Sequence, residues 1–218
     1  MFSYVFMKIL EMRPRSYDRR MQKASRGRTR QMKEKIAGQM PEKGHVLEIG
    51  CGTGELAGFM VERGCTVEGF DLSPSMVGAA MERIEKENLS GRFSVKCMGV
   101  EGMDDFPDEN FDAVVSTLAL SELSDDERRF ALKHASRILK LGGRLVIADE
   151  VVPRTKVRRF IHSVARLPLL ILTYLITGTS TRPISGLSGQ IKETGLSVRK
   201  EERSQGDSFA FVIALKEK

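Results

Sequence analysis

Val46–Met60 reads VLEIGCGTGELAGFM, and its reading decides the fold. An apolar run reaches Glu48 and then breaks into Gly50, Cys51, Gly52, Thr53 and Gly54, after which a helix-compatible stretch begins. Strand, glycine-rich turn and helix start, in that order, let backbone amides approach a nucleotide-like ligand. Glycine admits positive φ and carries no side chain to block the approach. The same turn suits any tight strand-to-helix connection, so it needs companions at set distances.

The first companion is Cys65–Phe70 (CTVEGF), a second short strand that ends at Asp71. An acidic residue at the end of the second strand of a doubly wound sheet accepts hydrogen bonds from ribose hydroxyls. The dinucleotide fingerprint G-x-G-x-x-G is not met: Gly50, Gly52 and Gly54 are spaced two and two, and the next glycine is Gly58. With Glu48 before the glycines, the stretch resembles the first motif of class I S-adenosylmethionine-dependent methyltransferases. Three further stretches resemble that family in the same order. Met98–Asp112 (MGVEGMDDFPDENFD) is similar to its adenine loop and the lead into its fourth strand. Phe111–Leu120 (FDAVVSTLAL) resembles that strand, and Ile138–Asp149 (ILKLGGRLVIAD) the turn before the fifth. The resemblance covers Gly44 to Glu150. At the flanks, SYVFMKILEMRPRSYDRRM and ITGTSTRPI resemble corrinoid protein-associated methyltransferases.

A chain of 218 residues is long enough for one domain with appendages and a full core. Hydrophobic content of 41% with 29% charged residues is ordinary for a soluble globular protein. The cysteines are Cys51, Cys65 and Cys97, an odd number with no close C-x-x-C pair. That argues against a disulfide framework or zinc site and for a reducing cytoplasm. All three are expected near strand ends beside the glycine loop. The net charge of +6 is uneven: residues 1–35 hold 11 Lys/Arg and 3 Asp/Glu, a balance of +8, so the remainder sums to −2. A basic arm of this kind either meets phosphates, a lipid surface or an acidic partner, or is a solvated helical face. The apolar first ten residues precede the basic cluster, the reverse of a secretory signal.

Residues 1–40 read as a helical arm with two short helices separated at Arg13-Pro14, since a residue before proline disfavours the helical region. Residues 41–218 read as the main domain. Pro41–Gly44 turns into strand His45–Gly50, and a helix over Thr53–Arg63 is closed by Gly64. Ser73-Pro74 caps a helix running to Asn88, followed by strand Phe93–Cys97. Strand Asp112–Thr117, helix Asp125–Lys140 capped by Ser124, and strand Gly143–Asp149 complete the alternation. Such alternation implies a parallel sheet with right-handed crossovers. Leu196–Arg203 and Ser208–Leu215, joined by Gln205-Gly206-Asp207, read as an antiparallel hairpin. The family resemblance implies an α/β, doubly wound, mostly parallel seven-stranded sheet of order 3-2-1-4-5-7-6 with the last strand antiparallel. Residues 154–182 read as an apolar helical insertion, in which Arg154, Lys156, Arg158 and Arg159 lead into a strongly apolar helix containing Pro168. It either lies at a membrane interface or packs on the sheet and closes the substrate cavity. No segment offers about 20 uninterrupted apolar residues for a span.

The resemblance implies S-adenosylmethionine as cofactor and S-adenosylhomocysteine as product. It assigns the methionine end to the backbone at Glu48, Gly50 and Gly52, with Glu48 also reaching the ammonium group through water, the ribose to Asp71, and Cys51 and Gly54 to the cofactor site as well. Leu72 and Met76 either flank the adenine or belong to the core. Gly99, Val100 and Glu101 face the adenine by backbone; where the family often has an aspartate, this chain has Val100, and Glu101 is the substitute at hand. Ser116, Thr117 and Leu118 end the fourth strand beneath the sulfur. Tyr17, beside Asp18, is similar to a tyrosine that covers the cofactor in related enzymes. Methyl transfer from a sulfonium needs alignment and exclusion of water more than a catalytic side chain. His162 and Glu122 are the acid–base candidates, with Asp149 and Glu150 at the end of the fifth strand; His45 and His134 read as structural, the latter on a surface helix. The acceptor is expected to be small or apolar, with a corrinoid protein as the partner the resemblance suggests. A nucleic-acid substrate is disfavoured, because the fourth strand ends in STLALS and the arm lacks interleaved aromatics. A non-catalytic cofactor-binding regulator is the remaining alternative.

Overall fold

The computed structural model describes residues 14–155, 158, 159, 183–204 and 206–217. Two arm helices, α1 (Pro14–Ser25) and α2 (Arg28–Ala37), precede β1 (His45–Ile49) and α3 (Glu55–Glu62). Next come β2 (Thr66–Asp71), α4 (Pro74–Lys86) and β3 (Phe93–Cys97). A 3-10 segment, Val100–Asp105, leads to β4 (Phe111–Thr117), and a single 3-10 turn, Leu120–Glu122, to α5 (Asp125–Ile138). The chain ends with β5 (Leu139–Glu150), α6 (Leu187–Glu193), β6 (Ser197–Arg203) and β7 (Phe209–Leu215). Local chemistry sets several boundaries. Ser73 Oγ accepts the Met76 N–H ahead of Pro74, and Ser124 and Glu127 satisfy each other's backbone in a capping box at the start of α5.

The seven strands lie in the order β3-β2-β1-β4-β5-β7-β6, the order the family resemblance implies. Strands β3, β2, β1, β4 and β5 run parallel, and β7 pairs antiparallel with both β5 and β6. The central strands are buried on both faces. Leu47, Ile49, Val114, Leu145 and Ile147 pack under α5 and α6, while Val46, Val67, Ala113, Val115 and Val146 pack under α2, α3 and α4. Each Val, Leu or Ile among them contributes about 1.5–3 kcal/mol by leaving water. The order reverses between β1 and β4, where the crossovers diverge to opposite faces and open a crevice at the strand ends.

Several expectations need correction. The arm beyond Pro14 is two helices, not one: Arg26 and Gly27 both take positive φ (51° and 79°) and turn the chain between α1 and α2. The expected break at Arg13 lies outside the described residues. β5 starts at Leu139, which pairs with Phe111; pairing then resumes at Arg144 opposite Ala113, so residues 140–143 bulge out of the ladder. Cys65 is not beside the glycine loop. It precedes β2 at the other end of the sheet, its Sγ against the Pro41 carbonyl. His134 is buried rather than superficial, stacked on Phe130 with 4.0 Å between ring centroids. Of residues 157–177, expected as an apolar helix, only Arg158 and Arg159 are described. Among the described residues no helix is long and apolar enough to cross a membrane.

Candidate active site

A cavity of about 720 Å³ opens over the C-terminal ends of β1, β2 and β4, a volume suited to a cofactor and a small second molecule. Its floor is Glu48–Thr53, Phe70–Ser73 and Thr117–Ala119. Met76 and Met98–Glu101 form one wall. Tyr17, Met21, Thr29, Met32 and Lys33 of the arm line it as well, together with Glu122, Leu123 and Glu127.

The glycine loop is shaped by close approach. Gly50, Gly52 and Gly54 all have positive φ, and a Cβ on Gly50 would overlap the Ala119 methyl. Asp71 braces this loop: Oδ2 accepts the Gly52 N–H at 2.9 Å and Oδ1 accepts the Ser73 N–H at 2.9 Å. A carboxylate so held keeps further lone pairs for hydroxyl donors in the cavity. Glu48 is 2% exposed, and its Oε2 has no hydrogen-bond partner. Burial, reinforced by the Asp71 charge and opposed by Lys33, pushes its carboxyl up to about 8. Burial likewise drives the Cys51 thiol well above its ordinary range, which suits a packed wall rather than a nucleophile. Thr117 Oγ1 is a second buried polar atom without a partner. Leu118 takes φ 58°, an uncommon conformation for a branched residue, with its N–H bonded to the Ala148 carbonyl at 2.9 Å.

The arm is latched to the loop. Asp18 accepts the Thr53 hydroxyl at 2.8 Å and Arg83 at 2.6 Å, and Arg83 Nε donates to the Thr53 carbonyl. The Glu55 carboxylate accepts Gln22 Nε2 at 2.9 Å and Lys33 Nζ at 2.8 Å. Ile36, Ala37 and Met40 enter the core behind these contacts.

The sequence-derived candidates divide accordingly. Tyr17, Glu48, Gly50, Cys51, Gly52, Asp71, Leu72, Met76, Gly99, Val100, Glu101, Thr117, Leu118 and Glu122 all line the cavity. Leu72 is 74% exposed and Met76 is buried, so only Leu72 has no core to serve. Gly54 is outside the lining; it caps α3 and packs against Phe93. Ser116 is also outside it, its hydroxyl donating to the Ile49 carbonyl within the sheet. Asp149 is fully buried beneath the Leu120–Glu122 turn, accepting the Ser121 N–H at 3.1 Å and the Glu150 N–H at 2.6 Å, so it supports that turn instead of facing the cavity. Its burial raises its carboxyl to about 6. His162 lies outside the described residues. Missed altogether were Met21, Thr29, Met32, Lys33, Leu123 and Glu127. For the arm a signal existed: Thr29, Met32, Lys33 and Ile36 recur at one-face helical spacing.

Residues 46–143, a little under half of the chain, match a family described as methyltransferase domain. YrrT of Bacillus subtilis, an uncharacterized methyltransferase, is 38% identical over 110 residues, covering 49% of this chain and 47% of that protein. The demethylmenaquinone methyltransferase of Tropheryma whipplei is 34% identical over 133 residues, covering 61% and 52%. The chain thus spans about half the length of these curated relatives. Among solved structures, a SAM dependent methyltransferase from Aquifex aeolicus superposes with a TM-score of 0.62 at 19% identity, covering 84% of this chain and 89% of that one. The [4+2]-cyclase SpnF superposes at 0.67 with 18% identity, covering 86% and 80%. The fold is the Rossmann-like fold of methyltransferases, and residues 46–143 within it match the methyltransferase domain family.

Proposed function

We propose that this protein is a methyltransferase that uses S-adenosylmethionine to methylate a small or apolar acceptor. The observation that carries the reading is the pairing of Asp71, both oxygens fixed by backbone amides, with a buried Glu48 oxygen that has no partner, across one cavity. An orphaned buried carboxylate oxygen is costly unless a donor arrives, and the cofactor's ammonium is such a donor. Asp71 suits the ribose diol, and Leu72 and Met76 offer apolar surface to the adenine. The cofactor supplies a methyl group already activated by its positive sulfur. This chain's task is to bind, orient and exclude water, with Tyr17 and Met21 of the arm and Thr117 and Leu118 at the end of β4 lining the same cavity as the loop. Glu122 and Glu127 line the same cavity and offer carboxylates to an acceptor.

A corrinoid-linked acceptor is supported by the resemblance of the flanking segments. Incubation with methyl-labelled S-adenosylmethionine and an extract of the source cells, with the labelled product identified by mass, tests the reading. A labelled small molecule supports it. Tight cofactor binding with no transfer to any acceptor would favour a non-catalytic cofactor-binding regulator instead.

A further inference from the structure

The charged residues lining the cavity are Glu48, Asp71, Glu101, Glu122, Glu127 and Lys33. Five are carboxylates, and Lys33 is the one cation among the described lining residues. Resting on the proposed cofactor, we infer that Lys33, carried in by the second helix of the arm, binds the α-carboxylate of S-adenosylmethionine. A ligand with an amino-acid end brings an anion into an acidic cavity. Without a counter-charge that anion would be repelled by Asp71 and the other ionised carboxylates of the lining. Lys33 is placed to supply one. Its side chain is 18% exposed, and Glu55 holds its ammonium at 2.8 Å. One of its three donors is engaged there, leaving two for a ligand. Gln22 occupies the other Glu55 oxygen, so the carboxylate that anchors Lys33 is itself fixed. Lys33 is also the cation that bears most on Glu48. The two residues therefore read a zwitterion: Glu48 faces its ammonium and Lys33 its carboxylate. This gives the arm a binding role beyond cover, and makes a well-formed cofactor site depend on α2 being docked.

The test compares S-adenosylmethionine with its decarboxylated form, which lacks the α-carboxylate, by calorimetry on the full chain and on Lys33→Met and Lys33→Arg. Wild type should prefer the carboxylate-bearing ligand by about tenfold or more, the scale of one charge-assisted hydrogen bond. Lys33→Met should bind the two within about threefold of each other, and Lys33→Arg should retain the preference. A purely structural Lys33 would weaken both ligands equally and leave their ratio at the wild-type value, which overturns the inference; so does a wild type that shows no preference. If wild type binds neither ligand, the cofactor reading itself fails, and this assignment falls with it. Thermal melts of each variant confirm folding, and the ratio is read within a single variant, so partial loss of stability does not blur it.

Discussion

Glu48→Gln is the most informative single substitution. Burial lifts the Glu48 carboxyl from 4.5 to about 8. The folded state therefore holds a proton that the unfolded chain releases between those values. Stability falls as pH rises wherever the folded state binds more protons. At about 1.4 kcal/mol per unit, the whole window amounts to on the order of 5 kcal/mol, of which about 2 kcal/mol is lost between pH 6 and 8. For a chain of this size that corresponds to a fall in melting temperature of roughly 4–8 °C. Asp149, raised from 3.8 to about 6, acts below this range, and the Cys51 thiol titrates above it. Buried His134, its imidazole held below 6.5 by desolvation, gains stability as pH rises and so opposes Glu48 at the acid end of this range; it is common to wild type and variant, so the difference between their two curves isolates Glu48. Glutamine has the same shape and no charge to bury. The variant should therefore melt nearly independently of pH across that range and above wild type at pH 8, while binding S-adenosylmethionine more weakly for want of the carboxylate. Differential scanning calorimetry in buffers of matched ionic strength measures both melting curves. A variant whose melting temperature falls with pH as steeply as wild type would refute the placement of Glu48 as the strained buried acid.

Asp71→Ala removes the acceptor of the Gly52 and Ser73 amides as well as the ribose partner; S-adenosylmethionine affinity by calorimetry should drop by about 30-fold or more, and unchanged affinity would count against the ribose assignment. Gly50→Ala places a methyl group against Ala119 at a positive φ, so the melting temperature should fall by several degrees, about 1–3 kcal/mol, with partial recovery in the Gly50→Ala, Ala119→Gly pair. Absence of any recovery would locate the cost in the backbone alone.

Much of the sheet was legible because its signals are local. Gly50, Gly52 and Gly54 announce a turn, Ser73-Pro74 a helix start, and the apolar runs of β1 and β4 their burial on both faces. Asp71 was legible because it sits a fixed chain distance from the loop. What escaped depends on contacts between distant parts of the chain. Lys33 enters the cavity because α2 turns at Arg26–Gly27 and docks on α3, and nothing near Lys33 encodes that turn's direction. Strand ends carry an ambiguity of face: Ser116 and Thr117 are adjacent, yet one bonds within the sheet and the other lines the cavity. Asp149 resembles a site carboxylate by position and is instead a support for the Leu120–Glu122 turn, a role set by the backbone amide of Ser121.

The central claim is that the glycine loop, Glu48 and Asp71 together receive one adenosyl ligand. Isothermal titration of S-adenosylmethionine into the 218-residue chain tests it most directly. The account predicts saturable one-to-one binding, displaced by S-adenosylhomocysteine. No heat of binding at millimolar ligand, or binding that S-adenosylhomocysteine fails to displace, would contradict it.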